Sequence, residues 1–166
     1  MHQSIEILFI FIISSSLIIV FYVDARTGHI PDLANITLSA SSLLFFKFSE
    51  HAYHNLADAF VGGLLFFVVF YSTRMVFLWA RHVEAIGLGD VKFSIGAGLL
   101  LGASSLPIFL VLASFFGFLT FACKFTFCAH ANYTGKMKIP FGPSLSLATF
   151  LLFYYEYYSH ILESTP

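Results

Sequence analysis

The chain has 166 residues, of which 58% are apolar and 10% charged, with a formal net charge of −1 and a mean hydropathy of +0.87. An ordinary soluble domain carries about 45–50% apolar and about 25% charged residues, so this composition excludes one and makes lipid the solvent for much of the surface. The near-zero charge also excludes a basic nucleic-acid-binding face and an acidic tail.

A helix needs about 20 apolar residues to cross about 30 Å of hydrocarbon, and six stretches approach that length between polar breaks. The first, Ile5 to Val23, follows Met1 to Ser4, which carry no positive charge, and no small-residue cleavage site closes it, so it reads as a retained crossing and not a secretory signal. Asp24 and Arg26 come directly after it. Pro31 and Asp32 then read as a helix start, the proline fixing its own backbone angle and the acid complementing the dipole. They open the short second segment, Leu33 to Phe48.

The third segment is Ala59 to Trp79. The fourth, Ile86 to Leu101, is short and begins with Gly87, Gly89 and Asp90. The fifth is Leu106 to Phe127, and the sixth, Phe141 to Tyr158, starts at a rigid break formed by Pro140, Gly142 and Pro143. Tyr154, Tyr155, Tyr157 and Tyr158 read as an interfacial aromatic anchor. The expectation is an all-α membrane protein, a polytopic bundle of six transmembrane helices forming one domain over residues 1–166. Gly98 and Gly102 have a close-packing spacing that apolar segments also contain by chance. Cys123 and Cys128 form no CxxC pair and read as reduced thiols packed among helices. His29, His82 and His130 lack metal-ligand spacing, and no metal or other cofactor is implied.

Lys and Arg accumulate in cytoplasmic loops. Arg26, Arg74, Arg81, Lys92, Lys124, Lys136 and Lys138 lie in or beside the loops after segments one, three and five, with Lys47 the single exception. Those loops are therefore expected in the cytoplasm, with both termini on the opposite side.

The acids on the cytoplasmic face are Asp24, Asp32, Glu84 and Asp90. Asp24 and Asp90 stand apart, one closing an apolar run and the other following two glycines, each at the membrane edge, where a charge is costly and often functional. Two carboxylates that share a site and a proton can activate water and protonate a carbonyl or a leaving amine. Asp24-Ala-Arg26 followed by Ile30-Pro31-Asp32, then Gly87-Leu-Gly89-Asp90-Val-Lys92, then Pro140-Phe-Gly142-Pro143, resemble in order and spacing the type IV prepilin peptidases, membrane aspartic peptidases with a GxGD motif. The resemblance covers about residues 20 to 145.

The resemblance implies an inner-membrane endopeptidase that removes the short basic leader from prepilins and pilin-like proteins at the cytoplasmic face. Asp24 and Asp90 match its catalytic pair, and its substrates are themselves membrane helices with a cytoplasmic head. Pilus or secretion assembly machinery would be the further partner, and no nucleic acid is expected. Long members carry an N-terminal region with two cysteine pairs associated with N-methylation; here no such pair exists, so the expectation is the short, peptidase-only form. Gly87 and Gly89 are expected to allow a sharp turn and a close approach. Arg26 and Lys92 could orient the aspartates or the substrate carbonyl, or could serve as positive-inside anchors, and Pro140 to Pro143 could border the cleft. Helix polarity suggests that Asp24, at the C-terminal end of its helix, is the protonated partner and Asp90, in a first turn, the ionised one.

Two other classes use similar residues. A proton-coupled transporter or small channel also needs paired carboxylates, but the acids cluster on one face, and no inverted repeat is visible. An assembly scaffold would leave the glycine-flanked Asp90 without a reason.

Overall fold

The computed structural model describes residues 2–49, 54–84, 86–128 and 140–164. Lys136, Lys138 and His130 lie outside the described residues, as do the side chains of Lys124 and Cys128. The chain is all-helical, with no strand among the described residues: α1 His2–Thr27, α2 Asp32–Phe48, α3 Leu56–Arg81, α4 Leu88–Leu101, α5 Leu106–Cys128 and α6 Gly142–Ser164. Three of them, over Ser4–Thr27, Leu56–Arg81 and Leu106–Cys123, are long and apolar enough to cross a bilayer. They leave Ile7, Phe11, Ile18, Phe60, Val76, Phe115 and Phe118 exposed, side chains that a water-soluble protein would bury.

Helix α4 sits in the middle, against α2, α3 and α6, while the other five follow one another round it in the order α1, α2, α3, α5, α6 and back to α1. At 14 residues it is about 21 Å long by the helical rise, too short to cross unaided. Val91, Phe93, Ala97, Leu100 and Leu101 are all buried. Its crossing with α3 is made by backbone: a Cβ on Gly98 would lie 2.5 Å from the Gly62 carbonyl oxygen, and one on Gly62 would lie 2.4 Å from the Gly98 oxygen and 2.7 Å from Gly102 Cα. The Gly98 and Gly102 spacing is thus a real contact surface, matched by a glycine on another helix.

Around this crossing Phe45 meets Phe153 edge to face at 5.7 Å and Phe66 meets Phe109 at 4.9 Å, joining α2 to α6 and α3 to α5. Hydroxyl pairs add register: Ser16 with Thr37 between α1 and α2, and Ser14 with Tyr154 between α1 and α6, both at 3.0 Å. At the end remote from Asp24, Ser49 donates to Glu6, Ser105 donates to Glu156, and His54 Nε2 lies 3.2 Å from the Leu100 carbonyl.

Two expectations change. The tyrosine group is not one surface anchor: Tyr155 and Tyr158 are exposed, whereas Tyr154 and Tyr157 pack against the core, because successive residues on a helix point about 100° apart. Cys123 is exposed on α5 and not packed among helices.

Candidate active site

Helix α1 ends, and α2, α4 and α6 begin, at the same end of the bundle. Asp24 belongs to the last turn of α1, its carbonyl accepting from the Gly28 N–H at 2.8 Å, so the helix runs past the point where its apolar surface stops. Its side chain is buried, and Oδ2 accepts the N–H of Gly142 at 2.8 Å, the first residue of α6. Gly142 is there because nothing larger fits: a Cβ would lie 2.6 Å from Asp24 Oδ2 and 2.8 Å from its Cβ and Cγ. Pro143 follows in the first turn, where its missing N–H costs no helical bond. Pro140, Gly142 and Pro143 are all buried, so this break abuts Asp24 directly.

Asp90 is the third residue of α4 and half-buried. Its Oδ2 accepts the N–H of Gly87 at 3.1 Å, an acid reaching back to the first free donor of its own helix. Gly87 has ordinary extended angles, φ −68° and ψ 150°, so the expected sharp turn is not made there. What Gly87 supplies is space, since a Cβ would sit 3.2 Å from Asp90 Oδ2. Gly89 does make a close approach, and a Cβ on it would meet Ile30 Cβ at 3.2 Å. That contact seats α4 against the loop that leads from Asp24 to α2.

Asp24 and Asp90, 66 positions apart in the chain, are thus brought to the same end of the bundle, α4 resting through Gly89 on Ile30 in the loop that follows α1. The other two acids at this end face cations. Asp32 pairs with Lys92 at 2.8 Å, both largely exposed, and Glu84 pairs with Arg74 at 2.7 Å. Lys92 therefore ties α4 to the start of α2, where Pro31 is the N-cap. Arg26 lies exposed over the Tyr22 ring, 4.4 Å from its centroid. The structure directs both cations to these partners.

Two features escape sequence reasoning. Each aspartate is held by a backbone N–H at a helix N-terminus, Asp24 by that of α6, so the helix-polarity contrast used to divide their protons does not survive: the N-terminal end of α6 offsets the C-terminal end of α1 at Asp24. Arg74, which reads as one more cytoplasmic loop charge, lies inside α3 with a side chain only 9% exposed, and its Nη1 donates to the Ile86 carbonyl at 2.6 Å. No group of three or more metal-ligating side chains occurs among the described residues.

The fold and the site define a helical membrane protein with a carboxylate pair at one end of its bundle. Residues 11–122 match the type IV leader peptidase family, and the chain belongs to that family. Leader peptidase HopD of Escherichia coli is 32% identical over 142 residues, 81% of this chain and 84% of that protein. A prepilin leader peptidase/N-methyltransferase of Vibrio cholerae is 22% identical over 134 residues, 81% of this chain and 50% of that protein. Another so named, from Klebsiella pneumoniae, is 36% identical over 103 residues, 62% of this chain and 44% of that protein. Apart from HopD, the chain spans about half the length of these relatives. No solved structure matches the chain.

Proposed function

We propose that the chain is an aspartic endopeptidase that cleaves the short basic leader from type IV prepilins or pilin-like proteins at the cytoplasmic face of the inner membrane, with Asp24 and Asp90 as its catalytic pair. The observation that supports this reading is the placement of these two acids, from α1 and α4, at one end of the bundle, each on a backbone N–H at a helix start. One carboxylate takes a proton from water as its oxygen adds to the scissile carbonyl, and the other protonates the carbonyl oxygen. Collapse of the tetrahedral adduct then breaks the C–N bond, and the amine leaves with a proton from the pair. The two groups titrate as a pair, so a measured pKa belongs to both.

Arg81, Arg26 and Lys92 lie at the same end as the pair, which supports a cytoplasmic site by the positive-inside rule. The peptidase-only form, without methyl transfer, is part of the proposal. So is the membrane-helix substrate, whose leader would meet the pair at the membrane edge.

The test is cleavage of a prepilin with a basic leader by the detergent-purified protein, read as a gel shift, beside Asp24→Asn and Asp90→Asn. The expected result is trimming by the wild type and loss of at least about 10³-fold in both folded variants, in line with removal of a general acid or base. Cleavage persisting in either variant would remove that residue from the pair. A folded wild type that leaves several leaders uncut would return the transporter and scaffold readings.

A further inference from the structure

A single peptide group, the one joining Ile86 to Gly87, is gripped on both sides. Its carbonyl oxygen accepts from Arg74 Nη1 at 2.6 Å, and its N–H donates to Asp90 Oδ2 at 3.1 Å. We infer that Arg74 is a positioning residue for Asp90, acting through this peptide to fix where the carboxylate stands and to support its negative charge. The inference rests on the reading of Asp90 as one of the catalytic pair.

Burial gives the first reason. A guanidinium that is 9% exposed needs partners for its donors, because an unpaired buried charge is costly. Of its two partners, the Glu84 carboxylate is 67% exposed, so water screens that half of the contact and an exposed ion partner contributes little. The carbonyl bond is the half that fixes geometry.

Register gives the second. Helices α3 and α4 run antiparallel with Gly62 on Gly98; Arg74 lies 12 residues past Gly62, and Ile86 lies 12 residues before Gly98. Arg74 is thus about 18 Å from the crossing along α3, and Ile86 lies two residues before the start of α4, itself about 15 Å from Gly98. The same packing that brings two glycine backbones together delivers the guanidinium to the Ile86 carbonyl. Arg74 is also seven residues short of the end of α3, deeper than a charge that merely marks the cytoplasmic side requires.

Electrostatics gives the third. A charge-assisted bond to the carbonyl polarises the amide and strengthens the N–H on its other side, as in any hydrogen-bonded chain. Arg74 then acts on Asp90 without meeting the scissile bond: without it the Ile86–Gly87 peptide loses the bond on its carbonyl side, and the N–H that Asp90 accepts is less firmly set.

The experiment compares wild type, Arg74→Met, Arg74→Lys and Glu84→Gln in detergent. It measures kcat and KM for leader cleavage across pH, the thermal midpoint, and the titration of Asp90 by infrared difference against each protein's Asp90→Asn counterpart. For Arg74→Met the expected result is a fall in kcat of about thirtyfold with KM within about twofold, the scale of a slightly misplaced catalytic group. The acid limb of the rate profile should move up by about one pH unit as the ionised carboxylate loses support. Arg74→Lys, which can still reach one carbonyl, should recover most of the rate, and Glu84→Gln should stay within about threefold.

The inference is overturned if Arg74→Met keeps wild-type kcat and pH profile. It is equally overturned if kcat and thermal midpoint fall together while the acid limb stays in place and lysine does no better than methionine, since Arg74 would then serve only the fold. Failure of the peptidase reading shows itself separately, as an inactive wild type or an active Asp90→Asn. In that event the infrared titration decides: a shift between wild type and Arg74→Met supports the coupling, and identical titrations refute it.

Discussion

Replacing Gly142 with alanine tests whether the start of α6 is part of the catalytic machinery or merely its boundary. The new methyl would lie 2.6 Å from Asp24 Oδ2 and 2.8 Å from Asp24 Cβ and Cγ, where carbon contacts are comfortable at about 3.5 Å or more. Relief requires Asp24 and the Gly142 backbone to part by about 0.7 Å, and both are buried, so neither can swing into solvent. The same movement stretches the Gly142 N–H bond from 2.8 Å to about 3.5 Å, beyond useful hydrogen-bond range. Overpacking costs about 1–3 kcal/mol and a lost hydrogen bond about 0.5–1.5 kcal/mol, so the loss of stability should be about 3 kcal/mol. Displacement of a reacting group by about 1 Å costs about 100-fold in rate. The assay is the initial rate of leader cleavage together with the thermal midpoint. Gly87→Ala serves as a graded comparison: its Cβ would meet Asp90 Oδ2 at a milder 3.2 Å, and it should lose no more than about tenfold. A Gly142→Ala protein that cleaves within about threefold of wild type would refute the claim that this contact sets the position of Asp24.

Lys92→Ala removes an ion pair whose side chains are 54% and 66% exposed, worth less than about 1 kcal/mol; cleavage should stay within about threefold, and a larger loss would mean that Lys92 acts on the aspartates after all. Gly98→Ala puts a Cβ 2.5 Å from the Gly62 carbonyl oxygen and 2.8 Å from Phe66 Cγ, against backbone that cannot yield, so the thermal midpoint should fall by the equivalent of about 3 kcal/mol; an unchanged midpoint would show that α3 and α4 can slide. His54, stacked on Phe46 at 4.3 Å, is held below its ordinary value of 6.5 by burial, with Asp58 opposing. The folded chain then binds that proton less readily than the unfolded one, so its contribution to stability is complete above about pH 6.5 and declines as the pH falls. Thermal midpoints measured from about pH 8 down to about pH 5 should drop less in His54→Gln than in wild type, and equal slopes would exclude His54 as the cause.

The helices were legible in the sequence because bilayer thickness sets how long an apolar run must be, and that constraint is local. Their ends were less so. Hydropathy marks where apolar surface stops, and at Val23 that precedes the end of the hydrogen-bond ladder, which continues through Asp24 to the Gly28 N–H. Asp24 and Asp90 stand out in the sequence by their own surroundings, one closing an apolar run and the other following Gly87 and Gly89. Their donors were a different matter. The Gly142 N–H on Asp24 joins positions 118 residues apart, and nothing in either stretch announces the other. The place of Arg74 was hidden for a related reason: counting cations by loop assigns a side of the membrane but carries no register, whereas its contact with the Ile86 carbonyl comes from two packed helices. Gly98 and Gly102 looked like chance spacing because the glycine that gives them meaning, Gly62, is on α3.

The depth of Asp90 follows from this packing. With Gly62 on Gly98, Asp90 lies eight residues back along α4, about 12 Å from the crossing, while Arg81 at the end of α3 lies 19 residues on, about 28 Å away. Helix α3 therefore overhangs Asp90 by about 16 Å, or three turns, and the start of α4 by about 13 Å. The start of α4 is thus set back from the end of α3, and three independent contacts hold Asp90 there: Gly98 on Gly62 sets the depth of α4, Gly89 on Ile30 sets its seat against the loop between α1 and α2, and the Gly87 N–H fixes the carboxylate. Asp24 is held as firmly by Gly142. Each of the two aspartates is thus positioned by contacts within the chain, and under the proposed reading a substrate's backbone would have to reach them at this end of the bundle.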